Sequence, residues 1–186
     1  MPRYAFTFEG KQCLEPDPRR LDELWSIAEA SGRPDDLRVL EWGSGLSTLL
    51  LADAVNRRAN GYLTTIDHAG AYQQAVLAAV PDVQRAWVQA ITVELQGAYH
   101  SADKARNYAT YPLGLVGAWD LIVIDGRRRV ECALVAAMVS GSETRVALHD
   151  FRRVRYTPIS KLYDVLGDGL HYRVMRAKPA LLGRDT

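Results

Sequence analysis

The chain has 186 residues, of which 48% are apolar and 24% charged, and its formal net charge is +1. These values indicate one globular domain with a sizeable core, and they exclude a disordered chain or one drawn to nucleic acid or to an anionic membrane by its bulk charge. No apolar run approaches the length that spans a bilayer, and the start lacks the apolar core of an export signal, so we expect a cytoplasmic protein.

The two cysteines, Cys13 and Cys132, lie far apart and lack the spacing of metal ligands. We interpret them as reduced thiols that pack within the fold, rather than as a disulfide or part of a zinc site. This interpretation agrees with a cytoplasmic location.

The first 36 residues predict a short hairpin followed by a helix. Aromatic and polar residues alternate over residues 3–9 and stop at Gly10, which is typical of a strand or hairpin. A helix is predicted over residues 19–30, with Asp17 as its cap and Pro18 near its first position.

Residues 37–51, LRVLEWGSGLSTLLL, predict a strand, a tight glycine turn and a helix. The apolar run reaches Glu41, the chain turns at Gly43 and Gly45, and Ser47 opens a second apolar run at helical spacing. Glycines let a ligand approach the backbone closely, and a helix start offers unpaired N–H groups to a carboxylate or phosphate. We expect a cofactor pocket at this turn, with a plain structural turn as the alternative.

The remaining elements alternate strands and helices. This alternation predicts a Rossmann-like, doubly wound α/β fold, with a mainly parallel sheet and helices on both faces. The predicted strands cover residues 62–66, 83–90, 119–125, 144–148, 171–177 and 180–183, the last two as a closing pair. The predicted helices cover residues 47–58, 71–80, 132–138 and 158–166.

Residues 91–118 break this rhythm with turn-forming residues mixed with aromatics. Two interpretations stay open: a substrate lid at the ligand-binding edge of the sheet, or an irregular helix packed on the core. We therefore expect one domain over residues 1–186, with residues 1–36 as hairpin and helix and residues 91–118 as an insert over the active-site edge.

Four predicted strands end in an acid or a histidine. Ligands of open α/β sheets bind outside the carboxyl ends of the strands, so these side chains should share one edge. Each has a structural alternative: a helix cap, a partner for nearby arginines, or a hydrogen-bonded core histidine. The residues concerned are Glu41, Asp67, Asp125 and the pair His149-Asp150.

The pattern acid-x-Gly-x-Gly, followed after the next strand by Asp67, resembles the first motif of class I S-adenosylmethionine-dependent methyltransferases. WDLIVIDGRRRVECAL with VALHDF is also similar to a group of small bacterial methyltransferase-like proteins. The resemblance implies S-adenosylmethionine as cofactor, with the glycine loop beside its methionine part and Asp67 on its ribose. The cofactor-binding residues implied are Glu41, Gly43, Ser44, Gly45, Ser47, Asp67, His68 and Asp125.

The second half of the chain resembles catechol O-methyltransferase-like enzymes. By that resemblance Asp125 and Asp150 are candidate ligands of a divalent metal, and Arg128 falls where the family has a proton-accepting lysine. Phe151 replaces the family's asparagine ligand, and an arginine, with a pKa above ~12, is a poor base. His149, with an unperturbed pKa near ~6.5, is the alternative base or ligand. Metal dependence stays open.

Together these features predict O-methylation of a small molecule. Arginines at 127–129 and 152–155 favour an acceptor with a carboxylate or phosphate, with a solvated basic surface as the alternative. The candidate catalytic residues are Asp125, Arg128, His149 and Asp150.

Two other functions stay as alternatives. One is a non-catalytic adenosyl-cofactor or nucleic-acid-binding Rossmann-like module. The other is a nicotinamide-dependent oxidoreductase, which predicts a third glycine where this chain has Thr48. A nucleic-acid or membrane partner is not expected, and a homodimer stays open.

Overall fold

The computed structural model describes residues 4–95, 107–115 and 117–179. Its strands are β1 (Ala5–Phe8), β2 (Lys11–Leu14), β3 (Arg38–Trp42), β4 (Tyr62–Asp67), β5 (Val88–Thr92), β6 (Trp119–Ile124), β7 (Ser140–His149), β8 (Tyr163–Asp168) and β9 (Tyr172–Ala177). Its α-helices include α1 (Pro18–Glu29), α2 (Leu46–Asn56), α3 (Gly70–Ala78), α4 (Asp82–Arg85) and α5 (Arg129–Val139), and 3-10 helices cover Tyr111–Gly114 and Val154–Lys161. No helix within these ranges is both long and apolar enough to cross a membrane.

The central sheet has seven strands in the order β5-β4-β3-β6-β7-β9-β8. The first five are parallel to one another, whereas β9 is antiparallel to both β7 and β8. Consecutive residues of β6 point to opposite faces of the sheet: Leu121 packs with α1, α2 and α3, and Ile122 packs with α5. The predicted mainly parallel α/β fold with helices on both faces is confirmed.

The N-terminal hairpin and helix predicted for residues 1–36 are present from residue 4 onward. Glu9 and Gly10, with φ of 50° and 73°, form the two-residue turn between β1 and β2. Asp17 caps α1 by accepting the backbone N–H of Arg19 at 3.2 Å. The Glu23 carboxylate accepts three consecutive backbone N–H groups of residues 170–172 at 2.8–3.2 Å. These bonds fix α1 to the turn between β8 and β9.

Two of the predicted elements differ from the structure. The strand predicted over residues 83–90 begins later, as β5 (Val88–Thr92), because the chain first forms α4, where the N–H groups of Gln84 and Arg85 bond to the Pro81 carbonyl. Residues 158–166 were expected as a helix, but Val154–Lys161 is a 3-10 helix and β8 follows. The Tyr163 side chain is buried there and its hydroxyl donates to the Ala133 carbonyl at 2.5 Å, which favours the strand.

The antiparallel partner of β9 also differs from the sequence interpretation. β8, which precedes β9 in the chain, forms the closing pair. The strand predicted over residues 180–183 lies outside the described residues.

Part of the predicted insert is described, over residues 107–115. Tyr108 is fully buried, and its carbonyl accepts the indole N–H of Trp42 at 3.2 Å, which holds this segment against the end of β3. Residues 96–106 and 116 lie outside the described ranges, so the placement of the insert over the active-site edge stays a prediction.

Candidate functional site

A cleft of about 460 Å³ opens at the carboxyl ends of β3, β4 and β6. This is the edge at which open α/β sheets bind ligands. Strand ends and helix starts supply one part of its lining: Gly43, Ser44, Gly45, Leu46, Ser47, Asp67, His68, Tyr72, Asp125, Gly126, Arg127, Arg129 and His149. The N-terminal segment supplies the rest: Phe6, Cys13, Leu14, Glu15, Pro16 and Arg20.

The glycine turn after β3 brings two strand ends together. Gly43 has a φ of +98°, in the left-handed region that side chains disfavour. A Cβ on Gly43 would lie only 2.5 Å from the backbone nitrogen of Gly126, which follows β6. Glycine is therefore required for the close contact between the loops that form the floor of the cleft.

Glu41 is the buried support of this turn and does not line the cleft. Its carboxylate accepts hydrogen bonds from the hydroxyls of Ser47, Thr48 and Thr65 at 2.6–2.7 Å. The Thr48 hydroxyl also accepts the backbone N–H of Gly45 at 2.8 Å. Burial raises the pKa of Glu41 to about 7, although the three hydroxyl donors act to lower it. Glu41 therefore joins β3, β4 and α2 behind the glycine turn. Its side chain is buried beneath the loop that was predicted to hold the cofactor.

Asp67 is held rigidly at the end of β4. Its carboxylate accepts the backbone N–H of Ser44 at 2.9 Å and that of Ala69 at 2.8 Å, and the residue is only 5% exposed. His68 lies beside it, with Nδ1 at 3.2 Å from Asp67 Oδ1. Each carboxylate oxygen has more than one lone pair, so the backbone bonds leave acceptor capacity toward the cleft.

The Asp125 carboxylate lies among three cationic or protonatable groups. Oδ2 pairs with Arg20 from α1, and Oδ1 lies 3.0 Å from Arg129 Nη2 and 2.7 Å from His149 Nδ1. Burial alone would raise the pKa of Asp125, but the contacts with His149, Arg20 and Arg129 outweigh it and hold that pKa below its ordinary value. Asp125 is therefore a fixed anion at the edge of the cleft.

His149 is fixed on two sides. Its Nδ1 is engaged by Asp125, although the contact lacks the alignment of a directed hydrogen bond. Its ring packs against Tyr172 at 5.1 Å and is stacked with His171 at 6.4 Å between centroids. Because Nδ1 faces Asp125, proton exchange with a bound molecule falls to Nε2.

Asp150 and Arg128, two of the residues predicted for catalysis, do not line the cleft. Asp150 pairs with Arg153, and both side chains are partly exposed to solvent. Arg128 has a φ of 54° at the start of α5, and its Nη1 lies 3.1 Å from Glu131. The next residue, Arg129, is the one that contacts Asp125.

The predicted metal ligands do not fit a divalent ion. The oxygens of Asp125 and Asp150 face guanidinium groups, which would repel a second cation. Within the described ranges, no three side chains of His, Cys, Asp or Glu are grouped so as to hold a metal. Phe151 is buried under the guanidinium groups of Arg152 and Arg173.

Sequence reasoning did not assign Arg20 or Tyr72 to the site. Arg20 contacts Asp125 from 105 positions away, and no local pattern marks such a pair. The rings of Phe6 and Phe8 meet Tyr72 edge-on at 5.3 and 5.2 Å between centroids. The alternating aromatics of β1 were the available signal, since they predict one aromatic face that needs a partner.

No protein-family model and no curated protein matches the sequence. Solved structures do match. A methyltransferase-like protein from Silicibacter pomeroyi aligns with a TM-score of 0.73 and 19% identity, over 89% of this chain and 88% of that one. This chain has the class I methyltransferase fold.

Two further structures agree with this assignment. The O-methyltransferase TomG from Streptomyces achromogenes, in complex with SAM, aligns with a TM-score of 0.60 and 15% identity, over 88% of this chain and 81% of that one. A precorrin-6y C5,15-methyltransferase from Geobacter metallireducens aligns with a TM-score of 0.60 and 14% identity, over 93% of each chain. At these identities the likeness establishes the fold and leaves the activity to be argued from the site.

Proposed function

We propose that the chain binds S-adenosylmethionine in the cleft and transfers its methyl group to a small molecule. The observation that carries the proposal is the bond from the Ser44 N–H to the Asp67 carboxylate at 2.9 Å. It joins the glycine turn after β3 to the acid at the end of β4, so the two parts of an adenosyl-cofactor site form one rigid unit. The methionine part would lie beside Gly43, Ser44, Gly45 and Ser47. Asp67 would accept hydrogen bonds from the ribose hydroxyls.

The acceptor atom that we propose is a hydroxyl oxygen. When bound, S-adenosylmethionine supplies an electrophilic methyl group, and the protein supplies orientation and removes the hydroxyl proton. His149 would take that proton on Nε2, and Asp125, 2.7 Å from Nδ1, would stabilise the imidazolium that forms. Arg127 lines the cleft, which favours an acceptor with a carboxylate or phosphate.

Thr48 argues against a nicotinamide cofactor. It stands where the dinucleotide fingerprint has its third glycine, which permits close packing of helix and strand. Here the Thr48 side chain is fully buried, and its hydroxyl links the Gly45 N–H to the Glu41 carboxylate. A side chain thus stabilises the turn at the position where the fingerprint needs none.

A thermal-shift screen followed by calorimetry tests the proposal. S-adenosylmethionine and S-adenosylhomocysteine should raise the apparent stability of the protein, whereas nicotinamide dinucleotides should not, because only a ligand that binds the folded state does so. Stabilisation by a nicotinamide cofactor alone would overturn the proposal. Adenosyl-cofactor binding without transfer of a labelled methyl group, together with salt-dependent oligonucleotide binding, would favour the non-catalytic module instead.

A further inference from the structure

Arg129 lies between the two carboxylates that follow β6 and β7. Its Nη2 is 3.0 Å from Asp125 Oδ1, and its Nη1 is 3.5 Å from Asp150 Oδ2. The Arg129 side chain is 11% exposed, and its Cζ lies 5.8 Å from the centroid of the Tyr156 ring. One permanently charged group thus bridges the ends of two neighbouring strands.

Backbone oxygens on both strand ends bind the same guanidinium. Nε donates to the carbonyl of Gly126 at 3.1 Å, Nη2 to that of Asp125 at 3.0 Å and Nη1 to that of His149 at 2.5 Å. All three nitrogens of Arg129 are therefore committed to this edge. A guanidinium bonded in this way is a fixed part of the fold, unlike a surface arginine that follows solvent.

We propose that Arg129 is an internal cation that takes the place of a divalent metal between Asp125 and Asp150. Carboxylate pairs at a strand edge are the oxygen donors that divalent cations prefer, and here their negative charge is already neutralised. Arg20 on Asp125 and Arg153 on Asp150 add further positive charge around the same position. A divalent ion placed there would meet three guanidinium groups. This proposal does not depend on the proposed function, which concerns the adenosyl cofactor.

Electron paramagnetic resonance of free Mn²⁺ tests the proposal without any activity assay. The wild type should form no one-to-one Mn²⁺ complex at this edge. Arg129→Gln should bind Mn²⁺ at least about tenfold more tightly than the wild type, because the pair of carboxylates loses its internal cation. The double variant with Asp150→Asn should lose the gained affinity. Arg129→Lys keeps the charge and should exclude Mn²⁺ as the wild type does.

Arg153→Gln is the matched control. It removes a guanidinium from Asp150 but leaves Arg129 in place, so Mn²⁺ affinity should stay at the wild-type level. Arg129→Gln binding Mn²⁺ no more tightly than the wild type would overturn the proposal. If that variant fails to fold, the wild-type titration decides: a one-to-one complex that Asp150→Asn abolishes overturns the proposal, and the lack of such a complex supports it.

Discussion

His149 Nδ1 lies 2.7 Å from Asp125 Oδ1, across the neighbouring ends of β7 and β6. Both side chains line the cleft, whereas the other two candidates for catalysis, Arg128 and Asp150, lie outside its lining. Arg20 and Arg129 keep Asp125 ionised and fixed, so the histidine has a stable anionic neighbour. The pair therefore combines a group that can exchange a proton with a group that can stabilise the resulting charge.

Replacing His149 with alanine should lower methyl transfer to a hydroxyl acceptor by about 10²- to 10⁴-fold, the usual contribution of a general base. Affinity for S-adenosylmethionine should change little, because the glycine turn and Asp67 are untouched. Steady-state rates, with calorimetry for the cofactor, measure both effects.

His171→Ala is the control for this substitution. His171 does not line the cleft, and its Nε2 lies 3.1 Å from Asp17 at the cap of α1. Its loss should cost far less turnover than the loss of His149. Full activity in His149→Ala would exclude His149 as the base.

Glu41 should make the stability of the fold depend on pH. The pKa of this carboxyl is about 7 in the folded protein, against an ordinary value of 4.5. As pH rises from 4.5 to about 7, Glu41 loses its proton in the unfolded chain before it does so in the folded protein. The free energy of unfolding should therefore decrease by on the order of 3 kcal/mol over this window and level off above pH 7. Denaturant unfolding of wild type and Glu41→Gln across the window should show this loss in the wild type alone.

The exposed Glu143 provides the comparison for Glu41. Glu143→Gln changes a carboxylate whose side chain is 84% exposed, so its pH dependence of stability should match that of the wild type. A difference between wild type and Glu41→Gln that stays constant with pH would mean that the buried carboxyl does not titrate in this window.

Gly43→Ala should destabilise the fold by at least about 1–3 kcal/mol, the cost of holding one residue in a sparsely populated backbone region. The added Cβ would also meet the backbone of Gly126 at 2.5 Å, which forces the loops after β3 and β6 apart. Gly114→Ala is the matched control, because a Cβ there meets no atom within 4 Å. Equilibrium unfolding should show a loss for Gly43→Ala only, and equal stabilities would refute the requirement for glycine.

Most of the fold could be predicted from the sequence, because the patterns that indicate it are local. Alternating strands and helices, the glycine turn at 43–45 and the cap at Asp17 each predict structure from neighbouring residues, and the structure confirms them. At residues 83–90, local bonds to the Pro81 carbonyl form α4 ahead of the strand, and at residues 158–166 tertiary contacts decide the structure. Burial of Tyr163 and the pairing of β8 with β9 stabilise a strand in a segment whose propensity is ambiguous.

The site was predictable only in part. Strand ends identified Asp67, Asp125 and His149, because parallel topology brings carboxyl ends to one edge. The contact of Arg20 with Asp125 and the choice of Arg129 over Arg128 depend on how α1 and α5 pack, which no spacing in the sequence encodes. The same packing pairs Asp125 and Asp150 with guanidinium groups, which the strand ends alone did not indicate.

Calorimetric titration of S-adenosylmethionine into the wild type and Asp67→Ala tests the central claim most directly. The wild type should bind, and Asp67→Ala should lose about 1.5–3 kcal/mol of binding free energy, because the ribose hydroxyls lose a charged acceptor. Asp82→Ala, which removes an acid with a 92% exposed side chain, should bind as the wild type does. No binding by the folded wild type, or unchanged affinity in Asp67→Ala, would contradict the claim that this cleft holds the adenosyl cofactor.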